Sequence, residues 1–187
     1  TDPNPGNSAG GPDNLTVFQG KLYFSCNEPV HGEELWACDL QTGKVHLVAD
    51  INVPRYNPST SPQQLVAVGE TLFFVARDRE HGEELWVSRG NEVDTFMVRD
   101  IAPGAADSAP RTLIRGTDEV YFTAVTPETG RELWRSDGNE AGTVLLDDLR
   151  PGTAGSDPRD MIRIGGKLYF SADDGVCGRE LWTSDGH

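Results

Sequence analysis

The sequence lacks any apolar run approaching the ~18 residues that a membrane-spanning helix requires, so no membrane insertion is expected. It is poor in basic residues, with 16 Lys and Arg against 30 Asp and Glu and a net charge of −14. That balance argues against nucleic acid, because phosphate backbones are held by fields of Lys and Arg. It has the wrong sign for an anionic membrane surface, and it suits an extracellular protein, a divalent-cation binder or a partner with basic patches. Only three cysteines occur, Cys26, Cys38 and Cys177, so at most one intrachain disulfide forms and one thiol is left over. Motifs of nucleophilic, zinc-dependent and nucleotide chemistry are missing: there is no G-x-S-x-G, no H-E-x-x-H, no P-loop and no Cys paired to a spaced His. The opening TDPNPGNSAGGPDN is polar, so any secretion leader lies outside this chain.

What the sequence has is repetition. Four segments align: KLYFSCNEPVHGEELWACD, TLFFVARDREHGEELWVSR, EVYFTAVTPETGRELWRSD and KLYFSADDGVCGRELWTSD. The four tryptophans, Trp36, Trp86, Trp134 and Trp182, are spaced 50, 48 and 48 residues apart, one per copy. Each is preceded by a Gly four residues earlier (Gly32, Gly82, Gly130, Gly178) and a Glu two residues earlier (Glu34, Glu84, Glu132, Glu180). A fixed period of this length is the mark of a repeat architecture. In the second copy QQLVAVG, TLFFVAR, EELWVS and TFMVRDI read as four short strands, aromatic and β-branched, divided by turn residues. Both faces of these strands are largely apolar, which predicts a sheet covered on both sides: a propeller blade stacked between neighbours. A solenoid of stacked β units is the rival architecture.

The predicted fold is therefore all-β, a β-propeller of four blades with about four antiparallel strands each. The whole chain, 1–187, is read as a single repeat domain with blades near 14–51, 63–101, 111–149 and 160–187. Asp2, Pro5, Gly6 and Pro12 match Asp148, Pro151, Gly152 and Pro158 at a constant offset. Residues 1–13 thus correspond to the end of a preceding repeat, and the last blade lacks its outer strand. Two expectations follow: a ring closed by a three-stranded final blade, or four blades belonging to a larger ring.

The segments ELWRSDGNEAGTVLLDDLRPG and GRELWTSDG resemble the ELWxxDGT repeat family, and the likeness runs through nearly the whole chain. It departs at Asp39-Leu40-Gln41 and at Arg89-Gly90-Asn91, where the family has DGT. The resemblance implies a large secreted or cell-surface protein with propeller-like repeats. It implies no shared enzyme activity.

Equivalent positions in a repeat are explained first by packing, so the four Trp and Phe24, Phe74, Phe122 and Phe170 are read as blade-to-blade core rather than sugar platforms. The Glu beside each Leu-Trp is read as satisfying backbone donors or an Arg. Binding candidates are sought among residues outside the pattern: Arg55 and Tyr56 in the long NVPRYNPSTSP connection, and Arg77, Arg79 and Glu128 in hairpin loops. Asp137 and Asn139, with Asp173 and Asp174, gather hard oxygen donors and are the candidate Ca2+ ligands, although neither group matches an EF-hand loop. In a closed four-blade ring Cys26 and Cys177 share a rim on adjacent blades, which predicts a Cys26–Cys177 disulfide and leaves Cys38 free or intermolecular.

The function these features predict is a secreted, non-catalytic recognition or adhesion module that binds glycan or protein through one rim. The alternative is a structural repeat that self-associates in a surface layer or filament. A propeller enzyme acting on polysaccharide is the third reading.

Overall fold

The computed structural model describes residues 10–52 and 59–186, and these contain no helix. Fifteen strands form four successive antiparallel sheets in simple up-and-down order. Blade 1 holds β1 (Asp13–Phe18), β2 (Lys21–Glu28), β3 (Gly32–Asp39) and β4 (Val45–Ala49). Blade 2 holds β5 (Gln63–Val68), β6 (Thr71–Asp78), β7 (Gly82–Ser88) and β8 (Thr95–Met97). Blade 3 holds β9 (Arg111–Arg115), β10 (Val120–Thr126), β11 (Gly130–Ser136) and β12 (Val144–Asp147). Blade 4 has three strands, β13 (Arg159–Ile164), β14 (Lys167–Asp173) and β15 (Arg179–Ser184).

The repeated aromatics set the register of every blade. Phe24 pairs with Trp36, Phe74 with Trp86, Phe122 with Trp134 and Phe170 with Trp182 across the two middle strands. Cross-strand aromatic pairs of this kind contribute roughly 0.2–1 kcal/mol each relative to an Ala–Ala pair. Because strand side chains alternate, the Phe–Trp pair occupies one face of each blade, here the leading face, and the intervening Tyr or Phe and Leu occupy the trailing face.

The seams join trailing face to leading face. Tyr23, Leu35 and Ala37 of blade 1 pack on Leu72, Phe74, Ala76 and Trp86 of blade 2. Phe73, Val75 and Leu85 of blade 2 pack on Phe122, Ala124 and Trp134 of blade 3, whose Tyr121 and Leu133 pack on Leu168, Phe170 and Ala172 of blade 4. Arg99 adds a cation–π contact over Trp134, 6.0 Å from the ring centroid. The first strand of each blade is innermost. Contacts run from β1 to β5, to β9 and to β13, and among the described residues none of that extent returns from β13 to β1. The four blades form an arc, and no closed sheet is present.

That arc corrects one expectation. No disulfide joins Cys26 to Cys177. The pairing required blades 1 and 4 to be neighbours, whereas blade 1 packs on blade 2 and blade 4 on blade 3. Cys26 is buried and its Sγ lies 3.4 Å from Gly10 O, while Cys177 sits on an exposed hairpin. Cys38 is half-buried.

Each blade has a front rim, where the β2–β3 type hairpins meet the loops between blades, and a back rim with the remaining turns. On the front rim the backbone is pressed tightly. A Cβ on Gly82 would lie 2.5 Å from Ala106 O, and one on Gly130 would lie 2.6 Å from Thr153 O, both at positive φ. Gly178, the equivalent in blade 4, has positive φ and nothing within 4 Å. Gly178→Ala is therefore expected to cost only the left-handed strain, about 1–2 kcal/mol, and Gly82→Ala and Gly130→Ala distinctly more. Urea denaturation of the three variants checks the order.

Candidate functional site

The most strongly perturbed acids lie on the front rim within the seams. Glu34, Glu84 and Glu132 are fully buried. Glu34 accepts a hydrogen bond from Thr60 Oγ1 (2.7 Å), Glu84 from Ser108 Oγ (2.5 Å), and Glu132 from Ser156 Oγ. Backbone amides add to this: Ile101, Ala102 and Ser108 donate to Glu84, and Ser156 N donates to Glu132 at 2.6 Å. Each Glu thus clamps its own blade to the loop that opens the next one. Loss of solvent outweighs these donors and pushes Glu34 up to about 8 and Glu84 up to about 7; burial raises Glu132 as well. The partner is a hydroxyl and not an Arg. The sequence carried the signal in Thr60-x-Pro62, Ser108-x-Pro110 and Ser156-x-Pro158, but a Glu and a Ser some 24 residues apart declare no contact until the loop is placed.

Inside the clamps the front rim turns toward the arc's axis. The first strand of every blade carries a bulge and a non-glycine residue at positive φ: Asn14 (55°), Gln64 (54°), Thr112 (55°) and Asp160 (53°). The bulge sends two of these side chains across the seam, Asn14 Nδ2 to Pro62 O (3.2 Å) and Gln64 Nε2 to Pro110 O (3.1 Å). Asn14 begins the sequon Asn14-Leu15-Thr16, so its amide nitrogen is already engaged.

Between blades 2 and 3 the bulges leave a cleft of about 510 Å³ lined by Gln63, Gln64, Glu83, Pro110, Arg111 and Thr112. Gln63 Nε2 donates to Glu83 Oε1 at 3.0 Å, and Arg111 is exposed. Beside it the half-buried Arg131 donates to Ala109 O (3.0 Å) and Thr123 Oγ1 (3.1 Å). Desolvation first, then the charge of Arg111, holds Arg131 below the usual Arg range against the pull of Asp157 and Glu83.

At two repeat positions of the inner front rim the charge changes sign along the arc. Asp13 and Glu33 stand on blade 1 and Glu83 on blade 2, whereas Arg111 and Arg131 stand on blade 3 and Arg159 and Arg179 on blade 4. Asp157 pairs with both Arg159 (2.5 Å) and Arg179 (3.2 Å). These positions align in the repeat, and their chemistry changes from copy to copy while the aromatic framework does not.

The residues singled out from sequence are not gathered into that cleft. Arg77 pairs with Asp107 at 2.5 Å, and Asp107 Oδ1 accepts from Glu83 N, so Arg77 braces the hairpin against the loop leading to blade 3. Arg79 and Glu128 are exposed at the tips of different hairpins. Arg55 and Tyr56 lie outside the described residues.

The two acidic groups lie on opposite rims, with Asp137 and Asn139 at the back and Asp173 and Asp174 at the front. Their carboxylates cap turns: Asp137 accepts from Asn139 N (2.9 Å), and Asp174 from Val176 N (2.8 Å) and Cys177 N (3.1 Å). Asp173 pairs with Arg150 at 3.1 Å. Among the described residues no group of three or more His, Cys, Asp or Glu is placed to hold a metal ion. His31 and His81 each turn back to an acid of their own hairpin, His31 to Glu28 and His81 Nδ1 to Asp78 at 2.8 Å.

This architecture defines a β-propeller-like, all-β repeat protein. No family model and no curated protein matches the chain. Among solved structures it is similar to the computationally designed Ika8 protein, with 13% identity and a TM-score of 0.50 over 94% of this chain and 49% of that one. It also resembles the GH43B protein of a xyloglucan locus of Bacteroides ovatus, with 14% identity and a TM-score of 0.45 over 95% of this chain and 39% of that one. A third is the GH43 endo-arabinanase from Bacillus licheniformis, with 14% identity and a TM-score of 0.32 over 92% and 71% of the two chains. The chain spans about half the length of the designed protein and less of the B. ovatus one. At these identities the likeness concerns the fold alone.

Proposed function

We propose that this chain is a secreted or cell-surface recognition module of the ELWxxDGT type, non-catalytic, that binds a protein partner across its inner front rim. The observation that carries the reading is the division of labour within the repeat. Positions held constant are buried in seams, while Asp13, Gln63, Arg111 and Arg159, and likewise Glu33, Glu83, Arg131 and Arg179, differ between blades and line one rim. Varied side chains on a rigid, repeated scaffold suit recognition.

A protein partner is favoured over a glycan because the cleft presents both signs of charge and no aromatic among its lining residues, whereas all four Trp are committed to the blades. The non-catalytic reading is supported by the raised carboxyls: perturbed acids often mark active sites, but these three are sealed from solvent.

Two screens test the reading: peptide display on the immobilised chain and a glycan array probed in calcium and in chelator. The reading expects enriched peptides carrying both charges, whose binding weakens with salt, and a blank glycan array. Glycan hits without peptide enrichment would transfer the rim to a lectin role, and calcium dependence of those hits would bring the acidic loops into play.

A further inference from the structure

Blades 3 and 4 carry the same pair of arginines in the same setting, and only blade 4 carries the acid that joins them. Arg131 and Arg179 occupy one repeat position, and Arg111 and Arg159 another. Arg131 Nη1 donates to Ala109 O (3.0 Å), Thr123 O (3.4 Å) and Thr123 Oγ1 (3.1 Å). Arg179 Nη1 makes the matching set, to Asp157 O (2.9 Å), Ser171 O (3.1 Å) and Ser171 Oγ (3.3 Å). Each guanidinium is thus anchored by one nitrogen in the same way. In blade 4 the other terminal nitrogen, Arg179 Nη2, reaches Asp157 Oδ2 at 3.2 Å, and Arg159 Nη2 reaches the same oxygen at 2.5 Å. In blade 3 the residue at that repeat position is Ala109, on the same left-handed backbone: φ is 43° at Ala109 and 49° at Asp157. Among the described residues no carboxylate forms an ion pair with Arg111 or Arg131. The loop contacts give a reason for the difference. Asp157 N donates to Arg131 O at 3.0 Å, and Ala109 N to Glu83 O at 3.2 Å. An acid at 157 has an arginine for its neighbour, whereas one at 109 would stand beside Glu83.

We propose that Arg111 and Arg131 form a seat for the side-chain carboxylate of an acidic residue on a protein partner, in the place that Asp157 fills in blade 4. The inference rests on the reading of the inner front rim as a binding surface, and it names the chemistry that blade 3 accepts there. Three further observations fit. First, the seat opens on solvent: Arg111 is exposed and lines the cleft of about 510 Å³, and Arg131 stands beside it. Blade 3 is flanked by packed seams on both sides, so the rim at this point is bounded within the chain. Second, the two arginine charges oppose each other, and Arg131 is also desolvated. A carboxylate that meets both relieves a repulsion the chain leaves standing. A guanidinium is planar and presents its remaining donors in a fixed fork, which suits carboxylate oxygens. Third, Glu83 lines the same cleft, with Gln63 Nε2 donating to its Oε1 at 3.0 Å. Its charge disfavours a free dianion such as phosphate, and it receives a Lys or Arg next to the seated acid. The partner segment therefore carries an acidic residue followed or preceded by a basic one.

The test uses Ala109→Asp, which places the missing acid within the chain and leaves both arginines untouched. Asp tolerates the left-handed backbone of this position better than Ala, and a thermal melt shows that the variant folds. The probe is acetyl-Glu-Lys-amide, followed through the side-chain N–H NMR signals of the arginines. It should move the Arg111 and Arg131 signals saturably and leave those of Arg159 and Arg179 in place, because Asp157 already holds that pair. Acetyl-Gln-Lys-amide should bind the unaltered chain at least about tenfold more weakly, and so should the Glu dipeptide bind Ala109→Asp. Should Ala109→Asp melt early, Arg111→Gln replaces it with the same expected loss. Inorganic phosphate should bind more weakly than the Glu dipeptide. Equal shifts with the Glu and Gln dipeptides, undiminished binding by Ala109→Asp, or phosphate as the tighter ligand would each overturn the seat. The seat and the wider reading fail separately. Longer peptides that are enriched on the chain yet indifferent to Ala109→Asp would remove the seat and keep the rim as a binding surface. A dipeptide that seats as described, with no longer peptide enriched, would contradict the wider reading alone.

Discussion

Raising the pH from 5 to 9 is expected to lower the melting temperature steadily and then level off. Glu34, Glu84 and Glu132 hold their protons more tightly folded than unfolded, because each carboxyl is cut off from water. The unfolded chain releases them near 4.5, the ordinary glutamate value, and the folded chain near 7 for Glu84 and 8 for Glu34. Between those limits the native state binds more protons than the unfolded state, so stability falls as pH rises, by about 1.4 kcal/mol per unit for each group still protonated. Above the folded values the slope vanishes. The total over this window is on the order of 5 kcal/mol or more, a large part of the stability of an ordinary domain. At the acid end the trend reverses. Glu28 and Asp107 are held below their usual range, Glu28 by backbone and His31 hydrogen bonds and Asp107 by Arg77. Their contribution is lost as pH drops through their folded values, which places the optimum near pH 5. Glu34→Gln and Glu84→Gln together should flatten the descent between pH 5 and 8, since an amide cannot ionise. Melts at unit pH steps decide the matter, and a flat or rising profile would remove the buried, neutral clamp.

The second large effect compares one residue in two settings. Leu85→Ala removes a side chain sealed between blades 2 and 3, and a deletion of this kind costs about 2–5 kcal/mol depending on how far the cavity collapses. In a chain of this size that is a fall of roughly 10 °C in melting temperature. Leu181→Ala makes the same chemical change at the same repeat position on the open trailing face. Its cost should stay within about 0.5 kcal/mol. Chemical denaturation of the two variants measures the difference. Equal costs would mean that blade 4 is covered in the free chain and that the arc is not open.

The repeat made the blades legible, because strand pairing and face alternation are local. Phe74 opposite Trp86, and Leu85 turned to the other face, follow from spacing alone. Loop chemistry is partly legible too: an Asp before a Pro-Gly turn is a residue type that caps turns through its side chain, and Asp100 Oδ2 accepts Gly104 N at 3.0 Å. Curvature was not legible. Whether blade 4 meets blade 1 depends on the small angle between stacked sheets, which no residue encodes by itself, and the expected Cys26–Cys177 bridge failed on that point. The inner rim is not legible from residues outside the repeat pattern, because its side chains stand inside that pattern. Arg111 and Glu83 stand within the pattern at positions whose identity changes, and the bulges of the first strands, Arg111's among them, rest on positive φ at Asn14, Gln64, Thr112 and Asp160, residue types that also occur in regular strands.

Recognition across the inner front rim is tested most directly by reversing charge on one rim at a time. The double variant Arg111→Glu/Arg159→Glu alters the front rim, and Lys44→Glu/Asp118→Lys alters the back rim without changing net charge. Affinity for a peptide selected on the unaltered chain is then measured by titration calorimetry. The front-rim variant should lose at least tenfold in affinity and most of its salt dependence, and the back-rim variant should bind as before. Binding that survives the front-rim reversal, or fails with the back-rim one, would contradict the assignment of this rim as the binding surface.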